Sequence, residues 1–217
     1  AGGLPERGAF GPYRQMARRE LYRAAAERLL AEDRAYPCYC TADELDVERH
    51  RLEAAKLAPR YSGRCATLTP TERARFEAQG RRPAIRFRIE PGAVVFDDLV
   101  RGRVEIDAAA LGGDLVIVRG DGTPLYHFGV VVDDAAMGIT HVIRGEDHLS
   151  NTPKHILLFH ALGYPVPVFA HLPLILNPDR TKMSKRKSQT AVADYIAQGF
   201  VREAIDNYLA LLGWASG

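Results

Sequence analysis

The spacing of apolar and polar residues predicts helices in the first third of the chain. Between residues 13 and 35 the apolar side chains recur at helical spacing, with arginine and glutamate between them. Two capping-box patterns follow, at residues 41–44 and 69–72, where a threonine precedes a glutamate by three positions. They predict two polar helices, which end near Leu57 and near Gly80.

The middle of the chain alternates in the way that is typical of β-strands. Residues 84–89 alternate with period two, and so does much of 94–104. Residues 115–119 are expected to form a strand that leads through a Gly-Asp-Gly turn into another strand at 126–132. Residues 36–122 are therefore predicted to form a mixed, mainly antiparallel module that also contains the two polar helices.

The last part of the chain has an α/β pattern. A short strand at 141–144 is followed by a helix that is capped near Ser150 and reaches Leu162. Residues 169–176 are a further candidate strand, which leads into a basic loop, and a final helix is expected over 201–212. This order of strand, helix, strand and phosphate-type loop is typical of doubly wound folds. Such folds bind their ligands at the carboxyl ends of the strands.

Composition sets limits on the kind of protein. The chain has 217 residues, of which 47% are apolar and 26% are charged, as in ordinary globular proteins. It has no apolar run of 18 residues and no signal-peptide pattern, so we expect neither a membrane span nor export. The net charge is +2, so any nucleic-acid binding must come from local basic clusters.

The densest basic cluster is Lys182-Met183-Ser184-Lys185-Arg186, which follows a Pro-Asp turn. Clustered cations repel one another unless an anion lies between them. A basic loop that also carries hydroxyl groups can bind phosphates through both charge and hydrogen bonds. Two alternatives are a solvated basic loop and a patch that meets a nucleic-acid backbone.

Three cysteines, Cys38, Cys40 and Cys65, fall close together in the sequence. An odd number argues against a complete disulfide framework and agrees with a cytosolic protein. Either they are three buried thiols, or three thiolates that hold zinc with a fourth ligand. His50 and Tyr61 are both candidates for that fourth position.

Two side chains could bind a small substrate. Arg144, at the end of a predicted strand, offers a planar fork for a carboxylate, and Tyr126 offers a hydroxyl. The alternatives are that Arg144 pairs with a nearby acid such as Glu146 and that Tyr126 is a core residue. The Asp133-Asp134 pair is expected to be a turn or a helix cap, without chemistry.

These motifs resemble one family. Lys182-Met183-Ser184-Lys185-Arg186 is similar to the second signature motif of class I aminoacyl-tRNA synthetases. The wider runs at 177–190, 122–134 and 141–148 resemble glutamyl-tRNA synthetases in particular. Bacterial members that carry zinc have a similar Cys-x-Cys followed by Tyr-x-x-x-Cys.

The resemblance implies a fold and a domain plan. The fold class would be α/β, a partial Rossmann-type catalytic domain with an inserted α+β module that carries zinc and binds the tRNA acceptor stem. Residues 1–35 would be a helix of the catalytic domain and 36–122 the inserted module. Residues 123–176 would be the second half of the catalytic domain, and 177–217 the basic loop with the start of the stem-contact region.

The resemblance also implies roles for residues. Lys182 and Lys185 would be catalytic and would bind ATP together with Met183, Ser184 and Arg186. Tyr126 and Arg144 would bind glutamate, with Arg144 on its side-chain carboxylate. The remaining roles concern metal and RNA. Zinc would be held by Cys38, Cys40, Tyr61 and Cys65, and phosphates of tRNA could meet Arg81, Arg82, Arg86 and Arg88.

The implied activity is that of a glutamate–tRNA ligase, which uses ATP with Mg²⁺, acts as a cytoplasmic monomer and binds no membrane. An upstream His-x-Gly-His-like motif and the anticodon-binding domain are not found in the sequence, so the chain is expected to be a central part of such an enzyme, incomplete alone. Two alternatives stay open: a paralogue that glutamylates a modified base of tRNA-Asp, and a non-catalytic protein that binds the acceptor stem. Charging of tRNA-Gln is left undecided.

Overall fold

The computed structural model describes residues 7–177, 179, 181 and 191–211. Within these residues the α-helices are α1 Arg19–Ala31, α2 Ala42–Ala54, α3 Pro70–Ala78, α4 Tyr126–Ala136, α5 Thr152–Ala161, α6 Val192–Ala197 and α7 Arg202–Leu211. The strands are β1 Ala35–Cys38, β2 Ala84–Phe87, β3 Ala93–Asp98, β4 Gly102–Asp107, β5 Leu115–Val118, β6 His141–Gly145 and β7 Val168–Leu172. No helix in this part of the chain combines the length and the apolar character needed to cross a membrane.

The two capping boxes predicted from the sequence are present. Thr41 accepts the backbone N–H of Glu44, and the Glu44 carboxylate accepts the backbone N–H of Thr41 at the start of α2. Thr69 and Glu72 make the same reciprocal pair at the start of α3. Each box satisfies two N–H groups that the first turn of a helix leaves without partners, which is why both helices begin where the sequence indicates.

The chain divides into two units, and the first contains residues 1–96, 103–140 and 151–167. Its sheet has the order β1-β2-β5 and is antiparallel, with Ala35 opposite Phe87 and Ile85 opposite Val118. One face of this sheet packs on a core that α1, α4 and α5 share. The largest fully buried members of that core are Tyr22, Leu29, Ile117, Phe128, Val131, Leu158, Phe159 and Leu162.

The second unit contains residues 97–102, 141–150 and 168–217. In it β6 and β7 run parallel, in a register that pairs Arg144 with His171. Asp98, the last residue of β3, pairs in parallel with Phe169 of β7. These pairings belong to a four-stranded sheet of order β4-β3-β7-β6. In chain order, β6, α5 and β7 are a strand, a helix and a strand parallel to the first, which confirms the α/β pattern predicted from the sequence.

The strand predicted at 126–132 is wrong, because these residues begin α4. The buried residues of α4 are Phe128, Gly129, Val131 and Val132, which lie at helical and not at alternating spacing. Packing of this apolar face against α1 and α5 outweighs the weak strand preference of its β-branched residues.

The turn or cap expected at Asp133-Asp134 is also wrong, since both residues lie inside α4. The Asp133 carboxylate accepts hydrogen bonds from Arg18 Nε at 2.6 Å and from the Tyr22 hydroxyl at 2.8 Å. Arg18 and Tyr22 are buried. Asp133 therefore ties α4 to the start of α1 through a largely buried ion pair.

Candidate functional site

The three cysteines converge at one end of the first unit's sheet. Cys38 ends β1, Cys40 lies just before α2, and Cys65 lies in the turn that precedes α3. Their sulfur atoms all lie within 4.8 Å of one another, and Cys40 Sγ is 3.5 Å from Cys65 Sγ. Zinc held tetrahedrally at about 2.3 Å from each sulfur requires sulfur–sulfur distances of about 3.8 Å. The cluster therefore has the dimensions of a zinc site.

Tyr61 supplies a fourth donor atom at this cluster. Its hydroxyl lies 3.5 Å from Cys38 Sγ and 3.6 Å from Cys40 Sγ, and it accepts the backbone N–H of Cys65. The backbone of Tyr61 is held by a glycine turn. A Cβ at Gly113 would lie 2.7 Å from the Tyr61 carbonyl oxygen, so only glycine fits there.

Two arginines add positive charge beside the sulfur atoms. Arg86 is 7% exposed; its Nε–H donates to Cys38 Sγ at 3.3 Å, and its guanidinium lies over the Tyr61 ring. Arg64 Nε donates to Cys40 Sγ at 3.1 Å and also pairs with Glu44. N–H donors and cations near a sulfur favour the thiolate, which is the form that binds a metal.

The surroundings shift the pKa values of Cys38 and Tyr61 in opposite directions. Hydrogen bonds from Cys40 and then Cys65 lower the pKa of the Cys38 thiol well below its usual range. Burial, followed by hydrogen bonds with Cys38 and Cys65, raises the pKa of the Tyr61 hydroxyl. Cys38 is thus favoured as a thiolate and Tyr61 as a neutral phenol, and a bound cation would displace the protons that the donor set retains. These residues fit zinc.

His50 and Arg86 do not have the surroundings that their suggested roles require. His50 lies on the exposed side of α2 and is not part of the group of close ligand atoms found among the described residues. The phosphate contact suggested for Arg86 is wrong, because its guanidinium is buried on Tyr61 and donates to Asp114 O at 2.6 Å. The alternation of apolar and polar residues along the strand could not reveal that Arg86 is buried, because its polar side chain points inward to the cysteines.

The other arginines of that cluster have protein partners as well. Arg81 Nη1 donates to Glu44 and to the Tyr39 carbonyl. Arg88 lies over the Tyr36 ring and donates to Asp33 and to the carbonyl of Ala66. Arg82 is exposed. Of the four, Arg82 therefore has the surface position that a phosphate contact requires.

In the second unit, Arg144 is held by a chain of polar contacts. It lies on β6 next to His171 of β7, and adjacent residues in parallel register share a face of the sheet. Arg144 Nε is 3.1 Å from His171 Nε2, and His171 Nδ1 is 2.6 Å from Asp98 Oδ2. The Arg144 guanidinium also lies 5.7 Å from the centre of the Phe169 ring.

Asp98 and His171 form a fully buried pair, since both side chains have no exposed surface. Burial alone would raise the pKa of Asp98. The hydrogen bond from His171 and the backbone N–H groups of Arg101, His171 and Val100 outweigh it and lower the pKa to about 2. Asp98 is therefore a carboxylate at neutral pH, and its negative charge lies next to Nδ1 of His171.

Glu146, proposed as a partner for Arg144, forms an ion pair with Arg101 and accepts the backbone N–H of Leu174. Tyr126 begins α4 and the residue is 49% exposed, so the alternative that it is a core residue is wrong. The Tyr126 ring packs on His127 and His155, whose Nδ1 and Nε2 atoms lie 3.0 Å apart.

The basic motif Lys182, Met183, Ser184, Lys185 and Arg186 lies outside the described residues. The predicted turn ahead of it is present: Asp179 accepts the Thr181 N–H at 2.9 Å, and the Asn177 N–H donates to the Thr181 carbonyl at 2.8 Å. This turn begins the segment that contains the motif.

Sequence reasoning missed Asp98 and His171. A signal was available, because Asp98 ends one largely apolar strand and His171 interrupts another, and a polar residue buried in a strand needs a partner. The sequence alone does not say that these two are each other's partner, since 73 positions separate them.

Comparison with known proteins identifies the family. Residues 4–217 match the family model described as tRNA synthetases class I (E and Q), catalytic domain. Glutamate–tRNA ligase of Heliobacterium modesticaldum is 53% identical over 216 residues, which is 99% of this chain and 43% of that protein. Glutamate–tRNA ligase of a Sulfurihydrogenibium species is 55% identical over 95% of this chain and 43% of its own length. The chain thus spans less than half the length of these relatives.

A solved structure agrees with these relatives. The glutamate–tRNA synthetase of Elizabethkingia anophelis superposes with a TM-score of 0.83 and 35% identity, covering 96% of this chain and 47% of that one. The chain belongs to the family of class I tRNA synthetase catalytic domains for glutamate and glutamine.

Proposed function

We propose that the protein containing this chain is a glutamate–tRNA ligase. In this reaction the α-carboxylate of glutamate attacks the α-phosphorus of ATP, pyrophosphate leaves, and the glutamyl group passes from the adenylate to the terminal ribose of tRNA. Such chemistry depends on positioning the substrates and neutralising charge more than on covalent catalysis. The observation that carries the proposal is the high identity, across nearly the whole chain, with relatives named glutamate–tRNA ligase.

Arg144 supports glutamate as the substrate. A guanidinium can donate two parallel hydrogen bonds to one carboxylate, which distinguishes the glutamate side chain from the amide of glutamine. Its place near the C-terminal end of β6 agrees with the usual position of ligand contacts in α/β sheets. We assign Arg144 to the side-chain carboxylate, and the hydroxyl of the partly exposed residue Tyr126 to a second substrate contact.

Lys182 and Lys185 are assigned to the phosphates of ATP, which would bind with Mg²⁺. Their ammonium groups would neutralise the charge that develops as pyrophosphate leaves. Met183, Ser184 and Arg186 would shape the same loop around ATP. We assign these roles from the motif alone.

Cys38, Cys40, Cys65 and Tyr61 are assigned to zinc. Bound zinc would act as a structural cross-link between the end of β1 and the segment before α3, a closed site with no open coordination position. The two arginines beside the sulfur atoms would balance the negative charge of this set. Support comes from the distances among the donors and from the lowered pKa of the Cys38 thiol.

We propose that residues 36–122 form an inserted module that meets the acceptor stem of tRNA, with Arg82 as its exposed cation among the four considered. The domain assignment 1–35, 123–176 and 177–217 follows the same plan. The protein is proposed to act as a monomer in the cytoplasm.

The test is charging of tRNA by the full-length protein with ATP, Mg²⁺ and labelled glutamate. Nuclease digestion and mass analysis then locate the glutamyl group. We expect an ester on the terminal adenosine. A glutamyl adduct on a base of tRNA-Asp would replace this function with that of the modifying paralogue, and tRNA binding without transfer would replace it with that of an RNA-binding protein. Parallel reactions with tRNA-Glu and tRNA-Gln define the specificity.

A further inference from the structure

Both oxygens of the buried Asp98 carboxylate accept hydrogen bonds. Its Oδ1 accepts backbone N–H groups from Val100 at 3.0 Å, Arg101 at 2.9 Å and His171 at 3.1 Å. Its Oδ2 is 2.6 Å from His171 Nδ1. A buried carboxylate with three N–H donors on one oxygen is held in the charged form, and it cannot donate a proton to the imidazole.

The charge of Asp98 decides which nitrogen of His171 carries the proton. Because Asp98 only accepts, Nδ1 must be the donor of the 2.6 Å hydrogen bond. In the neutral imidazole this leaves a lone pair on Nε2. That lone pair faces Arg144 Nε at 3.1 Å, and an arginine nitrogen only donates. The chain of hydrogen bonds therefore has one direction, from Arg144 through His171 to Asp98.

A bond at Nε fixes the rotation of the guanidinium in a way that a contact at one terminal nitrogen does not. The Phe169 ring lies beside the same guanidinium, and Nη2 of Arg144 reaches the His148 carbonyl at 3.5 Å. Together these contacts set the plane of the fork. Recognition of a carboxylate by two parallel hydrogen bonds depends on that plane.

We propose that Asp98 and His171 are positioning residues for amino-acid recognition: they hold Arg144 through its Nε so that its fork is oriented for the side-chain carboxylate. This inference rests on the proposed function, because it takes Arg144 as the glutamate contact. The inference goes beyond the proposed function in one respect. The buried Asp98 carboxylate fixes the tautomer of the His171 imidazole, and this imidazole in turn holds Arg144.

The test compares two substitutions of His171 in the full-length protein. His171→Asn places an amide nitrogen near the position of Nδ1 and keeps a donor for Asp98, but it removes the acceptor for Arg144. His171→Gln places an amide oxygen near the position of Nε2 and keeps that acceptor. Steady-state charging of tRNA gives KM for glutamate, KM for ATP and kcat for each.

We expect His171→Asn to raise KM for glutamate by about 10- to 100-fold, because a misdirected fork loses its paired hydrogen bonds. KM for ATP is expected to change by less than about 3-fold. His171→Gln is expected to restore most of the glutamate affinity. Equal KM values for glutamate in the two variants, or a parallel rise in KM for ATP, would overturn the proposal, since a merely structural role predicts no such selectivity.

Asp98→Asn provides an independent test if a His171 variant does not fold. The side-chain amide would donate to His171 Nδ1, move the imidazole proton to Nε2 and set two donors against each other at Arg144. We expect the same selective rise in KM for glutamate, with thermal melting to confirm a folded protein. Asp121→Asn, in an exposed turn, is the matched control.

The two proposals fail in different ways. If the unmodified protein charges tRNA with glutamate and Asp98→Asn folds with an unchanged KM for glutamate, positioning by Asp98 is wrong and the ligase function stands. If the unmodified protein does not charge tRNA, the ligase function is wrong and the positioning role falls with it.

Discussion

The guanidinium of Arg86 lies over the aromatic ring of Tyr61, with Cζ 3.7 Å from the ring centroid. The same side chain donates to the sulfur of Cys38. One buried cation therefore contacts two of the four donors assigned to zinc. The ring of Tyr61 packs under Arg86 and its hydroxyl is assigned to zinc, so the two roles can be separated by substitution.

We predict that Tyr61→Phe weakens zinc binding by about 10-fold or more, because it removes a donor atom and keeps the ring under Arg86. The measurement is competition with a chromophoric chelator, together with metal analysis of the purified protein. Tyr36→Phe is the matched control, since this buried tyrosine donates to Asp114 and not to a cysteine. A fall in affinity on His50→Ala, with none on Tyr61→Phe, would assign the fourth position to His50.

Replacing Arg86 with methionine is predicted to destabilise the fold by about 2–3 kcal/mol. The substitution removes the cation over Tyr61 and leaves the Asp114 carbonyl without the donor that now lies 2.6 Å away. Urea unfolding of the zinc-loaded protein gives the free energy. Arg82→Met, four positions earlier and exposed, is expected to change it by less than about 0.5 kcal/mol. Similar losses for the two variants would contradict a buried structural role for Arg86.

Asp133→Ala is predicted to reduce the free energy of unfolding by about 3 kcal/mol. The change leaves the buried guanidinium of Arg18 without its carboxylate and removes the acceptor of the Tyr22 hydroxyl. Tyr22→Phe removes one of these bonds and should cost about 1 kcal/mol. The exposed pair of Glu32 with Arg28 is the control, and Glu32→Ala should cost less than about 0.5 kcal/mol. Equal losses of unfolding free energy for Asp133→Ala and Glu32→Ala would show that burial does not increase the cost of breaking the ion pair.

Local signals in the sequence predicted much of the fold. The capping boxes at Thr41 and Thr69 act within four residues, so their helices begin as expected. The close spacing of the cysteines likewise indicated a cluster, and the structure brings the three sulfur atoms together. In each case the interaction that decides the structure lies within a short stretch of chain.

Two features depended on contacts that are distant in sequence. The segment after Pro124 contains residues that suit a strand, and its packing with α1 and α5 makes it a helix instead. Asp98 and His171 become partners only because β3 and β7 pair in parallel. A pattern of apolar and polar residues shows that a buried polar side chain needs a partner, but the register of the sheet decides which one it is.

Lys185→Ala is predicted to lower kcat for charging by about 10²- to 10³-fold, since it removes a cation assigned to the charge that develops on the leaving phosphates. The thermal midpoint and the zinc content are expected to stay unchanged. Lys187→Ala, one position beyond the motif, is the matched control and should retain most of the activity. Losses of equal size in the two variants would favour a general basic patch for the tRNA backbone.

The Asp98–His171 pair makes a specific prediction about pH and stability. Asp98 has a pKa of about 2 in the folded protein, against an ordinary value of 3.8. A lowered pKa means that the folded state holds the proton less tightly than the unfolded state. Its stabilising contribution is therefore complete well above pH 3.8, and it is lost as the pH falls towards 2.

Urea unfolding of the unmodified protein and of Asp98→Asn at pH 6 and pH 2.5 measures this contribution. We expect the difference in unfolding free energy between the two proteins to be smaller at pH 2.5 by about 1–2 kcal/mol. Loss of zinc at low pH affects both proteins, so it cancels in the difference. Asp121→Asn provides the exposed control. A difference that stays constant between the two pH values would mean that Asp98 is not a carboxylate of low pKa, and the fixed tautomer of His171 would lose its physical basis.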